Sequence, residues 1–214
     1  SPFRIQSMPG NRGQFQQQPN WRPWRRYSAT ELPAATRNWL LDNSSLTARL
    51  IGAGAGHFSV QRLSQRWEVP TASERRLLSA PVRELGLVRE VTLQLNRMPV
   101  VFARSVFPNA SLVGPLRHLR GLQNRSLGSI LFQHPGLRRS EFELALLQPG
   151  SSYLPKELDQ TTPIWARRSR FEIYGKAVLV SEVFLDTFQP WVGLLPVHRS
   201  QRGKVSTAFR RATQ

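Results

Sequence analysis

Two residues of opposite charge, Arg89 and Glu182, stand where a strand-like alternation places apolar side chains. In Glu84 to Leu95 the odd positions are Leu85, Leu87, Arg89, Val91, Leu93 and Leu95, so the arginine shares a face with aliphatic neighbours. In Ala177 to Leu185, Glu182 shares a face with Val178, Val180 and Phe184. A charge taken out of water among such neighbours is costly unless it meets a partner or a ligand. Two chemistries satisfy that demand. Arg89 and Glu182 could form a buried structural ion pair. They could instead line a polar pocket, the guanidinium taking a ligand carboxylate and the glutamate taking a hydroxyl.

Positioning these residues requires two hairpins. The first joins Val82–Leu95 to Pro99–Phe107 through Asn96-Arg97, and the second joins Ile164–Ile173 to Ala177–Leu185 through Tyr174-Gly175-Lys176. The even positions of the first arm, Gly86, Val88, Glu90, Thr92 and Gln94, read as a solvent side. Arg104 is a second arginine in apolar company, with Val100, Phe102 and Val106, and suits a solvated edge as well as a ligand role. His57–Val69 and Glu141–Gln148 are further strands, the latter with Phe142, Leu144 and Leu146 inward. Pro33 suits the first turn of a helix ending at Trp39-Leu40-Leu41, and Ser45 can cap a short helix from Leu46 to Ile51. Residues 72–79, Gly114–Gly121 and Leu127–Phe132 are short helical pieces. Ser126 or Asn124 can cap the last, leaving free N–H groups at Leu127 as a small anion site. Gly52-Ala-Gly54-Ala-Gly56 follows a helix, not a strand, and reads as a linker instead of a phosphate loop. This order predicts an α+β fold, an antiparallel sheet with helices on one side.

Composition narrows the function. At 214 residues and 40% hydrophobic content the chain can build one core. It has no cysteine, which removes disulfides and thiolate metal sites. His57, His118, His134 and His198 lack metal-ligand spacing, and HExxH, Walker and GxSxG motifs are missing. An enzyme built on this chain is therefore expected to use no metal and no bound cofactor. No apolar run reaches membrane-span length and no secretory h-region is visible, so a cytoplasmic location is the default. Net charge is +17, and 27 of the 30 basic residues are Arg. Residues 1–27 hold five Arg and no acid, and residues 187–214 hold four Arg, one Lys and no acid. Residues 1–27 read as a mobile tail, 28–190 as the folded domain and 191–214 as a basic C-terminal tail. The Trp21, Trp24 and Arg25-Arg26 cluster could stack on nucleic acid or dock on the protein's own surface.

Three segments resemble the chorismate pyruvate-lyase family. They are Trp165-Ala-Arg-Arg-Ser with Gly175-Lys176 and Ser181-Glu182-Val183-Phe184-Leu185; Leu87-Val-Arg89-Glu90-Val91 leading to Ala103-Arg104-Ser105-Val106-Phe107-Pro108; and Ser126-Leu127-Gly128-Ser-Ile-Leu131-Phe132. The likeness starts near Trp39 and covers about two-thirds of the chain; both tails lie outside it. It implies a single domain with an antiparallel sheet of about six strands and helical flaps over a buried ligand. It also implies conversion of chorismate to 4-hydroxybenzoate and pyruvate, at the head of ubiquinone or plastoquinone synthesis. Arg89 should then pair with the ring carboxylate, Leu127 should offer its backbone N–H, and Glu182 should hydrogen-bond the ring hydroxyl and assist proton movement. Leu46 stands where the family has a methionine that closes over the ligand, a change that keeps the volume.

The chain is expected to act as a monomer on this small molecule. Two other functions remain open. A non-catalytic effector-binding module of the same fold would normally carry a winged-helix domain, for which residues 1–31 are too short. An Arg-rich nucleic-acid binder accounts for the basic tails, which could touch nucleic acid, but gives Arg89 and Glu182 no purpose beyond an ion pair.

Overall fold

Hairpin turns that match strand twist put both central residues at positive φ. The computed structural model has this pattern twice, at Asn96 (φ 51°) and Arg97 (φ 64°), and at Tyr174 (φ 52°) and Gly175 (φ 70°). It describes residues 18–54 and 56–192, with the backbone alone of 198–199 and 205–206. The strands of its main sheet are β1 (Arg22–Pro23), β2 (Phe58–Glu68), β3 (Gly86–Leu95), β4 (Met98–Pro108), β5 (Arg138–Arg139), β6 (Glu143–Leu147), β7 (Ile164–Ile173) and β8 (Lys176–Phe184). They form one antiparallel sheet in the order β1-β6-β7-β8-β4-β3-β2, with β5 on β7. Six of them are long; β1 and β5 are two-residue additions to the six expected.

The second turn is one residue tighter than expected. Ile173 pairs with Lys176, so Lys176 opens β8 instead of belonging to the turn. The register that follows sets Arg167 opposite Glu182. A register one residue different would have put Arg168 there instead and turned Arg167 to the other face.

Helices cover both faces, not one. α1 (Ala34–Leu40), α2 (Leu46–Gly52) and α4 (Leu127–Leu131) lie over the face that carries Arg89 and Glu182. α3 (Ala72–Leu78) packs Leu78 against Val88, Val106 and Leu179 on the opposite face, beside Tyr153 and Leu154 from the 149–162 segment. The even positions of β3 are therefore buried, contrary to the solvent side expected: Val88 is 0%, Thr92 1%, Glu90 8% and Gln94 8% exposed. Leu146, expected inward, is 42% exposed, while its strand neighbours Leu144 and Leu147 are buried.

Arg104 explains how polar residues survive under that cover. It is neither an edge residue nor a cavity residue. Its guanidinium meets Glu74 at 2.8 Å, Glu90 at 2.9 Å and Glu68 at 3.1 Å. Thr71 caps α3 by accepting from the Glu74 N–H, and Glu74 accepts from the Thr71 N–H in return. One carboxylate thus closes the helix start and clamps it to the sheet. Arg168 repeats the device, with Glu143 at 2.6 Å and Ser73 at 2.7 Å.

Residues 18–27 are placed, in contrast to the mobile tail expected of 1–27. β1 pairs with β6, Trp21 lies edge-on to Tyr153 and over the Arg168 guanidinium, and Arg25 pairs with Glu141. The tryptophan and arginine cluster docks on the protein's own surface. At the other end, Trp191 packs on Phe184, inside what was expected to be tail. Residues 1–17, 55, 193–197, 200–204 and 207–214 lie outside the described residues, as do the side chains of 198–199 and 205–206. Among the described residues no helix is long and apolar enough to cross a membrane.

Replacing Arg104 with Met would leave Glu74 and Glu90 buried without their cation. Breaking a buried pair from one side costs about 3–5 kcal/mol, so the melting temperature at neutral pH should fall by roughly 6–20 °C. Burial alone would raise the Glu74 carboxyl pKa, but Arg104 and the Thr71 N–H outweigh it and hold it below its ordinary 4.5. A lowered folded pKa gives stability that is full above the unfolded value and is lost as pH falls through the folded value. The gap between wild type and Arg104→Met should therefore close as pH falls below about 4.5. Coincident melting curves at pH 7 would show that the cluster contributes nothing.

Candidate active site

Strand pairing fixes where the two charged residues stand. Arg89 on β3 pairs with Ser105 on β4, which pairs with Val180 on β8. Glu182 lies two residues further along β8, opposite Ala103. Strand spacing and rise put the two Cα atoms about 12 Å apart. Both side chains point to the same face of the sheet, across that gap from one another.

A buried cavity fills that gap. Its floor is Arg89, Val91 and Leu93 of β3, Ala103 and Ser105 of β4, Val180 and Glu182 of β8, with Val60 and Phe171 at the sides. Its roof is Leu46 and Thr47 from α2, and Ser126 to Gly128, Leu131 and Phe132 at α4. Arg139 of β5 completes the wall near Glu182. The four residues singled out in the sequence, Arg89, Glu182, Leu127 and Leu46, all line this one cavity. Missing from that reading were Ser105, Thr47, Arg139 and, behind the wall, Arg167.

The roof consists of two short helices that meet over the cavity. Ser45 caps α2 and Ser126 caps α4, each accepting from a backbone N–H of the first turn. Asn124, the alternative cap, instead accepts from the Arg62 N–H. The Thr47 and Ser126 hydroxyls hydrogen-bond at 2.8 Å, joining the two helix starts. The backbone N–H of Leu127 opens α4 beside the cavity, with no acceptor inside the helix.

Arg89 and Glu182 do not pair with each other. Glu182 accepts from Arg167 Nε at 2.6 Å, and Arg139 Nη2 lies 4.0 Å away. Arg167 is anchored in turn: its Nη1 donates to the carbonyls of Trp39, Leu40 and Asp42 at the end of α1. Arg89 has another environment. Its Nη2 donates to the carbonyls of Gln123 and Arg125 at 2.9 and 2.8 Å, and its buried Nε has no acceptor. No carboxylate among the described residues lies within ion-pair range of it, whereas Arg104, Arg139, Arg167 and Arg168 each have one. Burial, with a smaller push from Arg62, lowers the Arg89 pKa to about 10. The group is still a cation at neutral pH, and it faces an apolar cavity at 2% exposure. An anionic ligand would relieve that cost.

The cavity therefore has a cation at one end, a carboxylate at the other, and aliphatic walls between. It can hold a flat apolar body with an acid at one end and a hydroxyl at the other. Among the described residues no group of three or more His, Asp or Glu could hold a metal ion.

The chorismate lyase family model matches residues 18–192. Similar proteins include the probable chorismate pyruvate-lyases of Alcanivorax borkumensis, 41% identical over 162 residues (76% of this chain and 74% of that protein). The one from Aromatoleum aromaticum is 40% identical over 162 residues (73% of this chain and 87% of that protein). Among solved structures, the effector domain of PhnF from Mycobacterium smegmatis superposes with a TM-score of 0.51 at 14% identity, over 68% of this chain and 91% of that one. That likeness extends to the fold alone. By its matched family model and by relatives at this level of identity, the chain belongs to the chorismate lyase family.

Proposed function

We propose that this protein converts chorismate to 4-hydroxybenzoate and pyruvate, at the head of ubiquinone or plastoquinone synthesis. The observation that carries the reading is Arg89, a buried cation with no carboxylate partner among the described residues, facing Glu182 across an apolar cavity. Arg89 takes the ring carboxylate with help from the Leu127 N–H. Glu182 accepts the hydroxyl at the opposite ring carbon. Leu46 and the Leu127 turn close over the ring.

The reaction needs little more than this. The ether bond to the ring breaks, the neighbouring ring carbon that bears the hydroxyl loses its hydrogen, and the ring becomes aromatic. The released enolpyruvate takes up a proton at its methylene carbon to give pyruvate, so atoms balance without an oxidant or a co-reactant. Aromatisation drives the step, and the protein's part is to hold one conformer and stabilise developing charge. Glu182 is the carboxylate nearest that hydrogen in this pose, and Arg167 fixes its direction. Because the roof helices are joined by the Thr47–Ser126 hydrogen bond, product leaves when that contact opens.

The direct test is purified protein with chorismate, followed by pyruvate release. Turnover should proceed without added metal, nucleotide or flavin and be unchanged by EDTA. A strict metal requirement would contradict the cofactor-free reaction. Binding of 4-hydroxybenzoate without pyruvate release would make the chain a binding module of the same fold.

Arg89→Ala should weaken 4-hydroxybenzoate binding by about one to two decades, the range of a charge-assisted contact of roughly 1.5–3 kcal/mol. Arg89→Lys should recover part of the loss, since the planar fork is gone. Unchanged affinity by calorimetry in Arg89→Ala would make the residue structural.

Glu182→Gln keeps the shape and removes the charge. Single-turnover rates with chorismate should fall by roughly 10²–10⁴-fold, the range of acid–base assistance, while the product still binds. Wild-type rate and wild-type product affinity together would remove Glu182 from the site.

A further inference from the structure

We infer that Arg139 is a second anion-binding residue of this cavity, and that it takes the enolpyruvyl carboxylate of chorismate, which 4-hydroxybenzoate lacks. The inference rests on the chorismate reading and deepens it. Chorismate is a dianion, and Arg89 accounts for one carboxylate. The enolpyruvyl ether leaves the ring at the carbon next to the one bearing the hydroxyl. With the ring carboxylate on Arg89 and the hydroxyl on Glu182, the second carboxylate must lie at the Glu182 end.

Two arginines stand there. Arg167 does not line the cavity: its Nε holds Glu182 and its Nη1 holds three carbonyls at the end of α1, which keeps it behind the wall. Arg139 does line the cavity. It is anchored at two of its three nitrogens, Nε on the Ser169 hydroxyl at 2.8 Å, and Nη1 on the carbonyls of Asn43 and Ser44 at 3.2 and 3.4 Å. The rings of Phe142 and Phe171 lie 4.3 and 4.6 Å from its guanidinium carbon and fix its plane. Nη2 remains, and its nearest carboxylate oxygen is Glu182 Oε2 at 4.0 Å, beyond hydrogen-bond reach. A cation held rigid with one nitrogen uncommitted, beside the hydroxyl's acceptor, fits a carboxylate attached one ring carbon away. Burial and the Arg167 charge lower the Arg139 pKa to about 10, so the site favours an additional anion.

A second observation concerns the way out. Arg139 also lines a surface cleft with Arg138, Ser140, Arg170 and Glu172. The residue assigned to the leaving group's carboxylate thus stands between the buried cavity and a largely basic surface. The released pyruvate is an anion, and this side suits its departure.

The test compares ligands with and without the second carboxylate. The probes are 4-hydroxybenzoate and its stable 3-carboxymethoxy derivative, 3-(carboxymethoxy)-4-hydroxybenzoate, titrated by calorimetry into wild type, Arg139→Gln and Arg139→Lys. Chorismate kinetics are run in parallel. Arg139→Gln should weaken the dianion and lower kcat/KM for chorismate by about 10- to 100-fold, and change 4-hydroxybenzoate affinity less than about threefold. Arg139→Lys should restore part of the dianion affinity, because the charge returns. Equal losses for both probes would mean that Arg139 only supports the wall, and no loss for either would place the second carboxylate elsewhere; both results overturn the assignment. Should Arg139→Gln not fold, Arg139→Lys reads the same contrast, since an imperfect cation must cost the dianion more than the monoanion. Wild-type protein that binds the probes but releases no pyruvate would defeat the lyase reading while leaving the probe comparison readable.

Discussion

A guanidinium stripped of water must be given acceptors, and the structure follows from how its buried arginines are supplied. Arg104 and Arg168 meet carboxylates on one face of the sheet and lock α3 in place. Arg167 meets Glu182 and the end of α1 on the other. Arg89 meets two carbonyls and no acid among the described residues, and it faces a cavity. Three of these cations stabilise a packed interface. The fourth faces the cavity with its Nε unpaired, which is where the proposed ligand would complete its coordination.

The same logic separates the two faces of the central strands. On β3 and β4, one face carries Arg89, Ser105 and Ala103 toward the cavity, and the other carries Glu90 and Arg104 toward α3. Adjacent residues therefore do unrelated work: Glu90 is part of the clamp that holds the sheet's back, and Arg89 is part of the pocket. Removing Arg104 should disturb the fold, and removing Arg89 should disturb the ligand.

The pocket was legible in the sequence because period-two alternation makes a lone charge conspicuous. Arg89 among leucines and Glu182 among valines mark a face that is apolar and yet needs polar company. Alternation cannot say what covers the reverse face. The even positions of β3 carry Glu90, Thr92 and Gln94, polar enough to suggest water, and their burial depends on α3 and the 149–162 segment arriving from elsewhere in the chain. Arg167 was within reach: a two-residue turn at Tyr174-Gly175 sets it opposite Glu182, and one extra turn residue hides it. Arg139 gave no signal, since β5 is two residues long and has no period. Trp21 and Trp24 were obscured by tail-like composition around them, although Trp21 supports the back of the sheet and Trp24 its front.

The central claim is that Arg89 is paired by the ligand and not by the protein. Its most direct test changes the ligand's charge and leaves the protein alone. 4-Hydroxybenzoate and 4-hydroxybenzamide have nearly the same shape, and only the first carries an anion at neutral pH. Competitive calorimetry on wild-type protein should find the acid bound at least about tenfold more tightly than the amide, the lower bound for a charge-assisted contact with a buried cation. Equal affinities would mean that Arg89 is satisfied without the carboxylate, and would contradict the account.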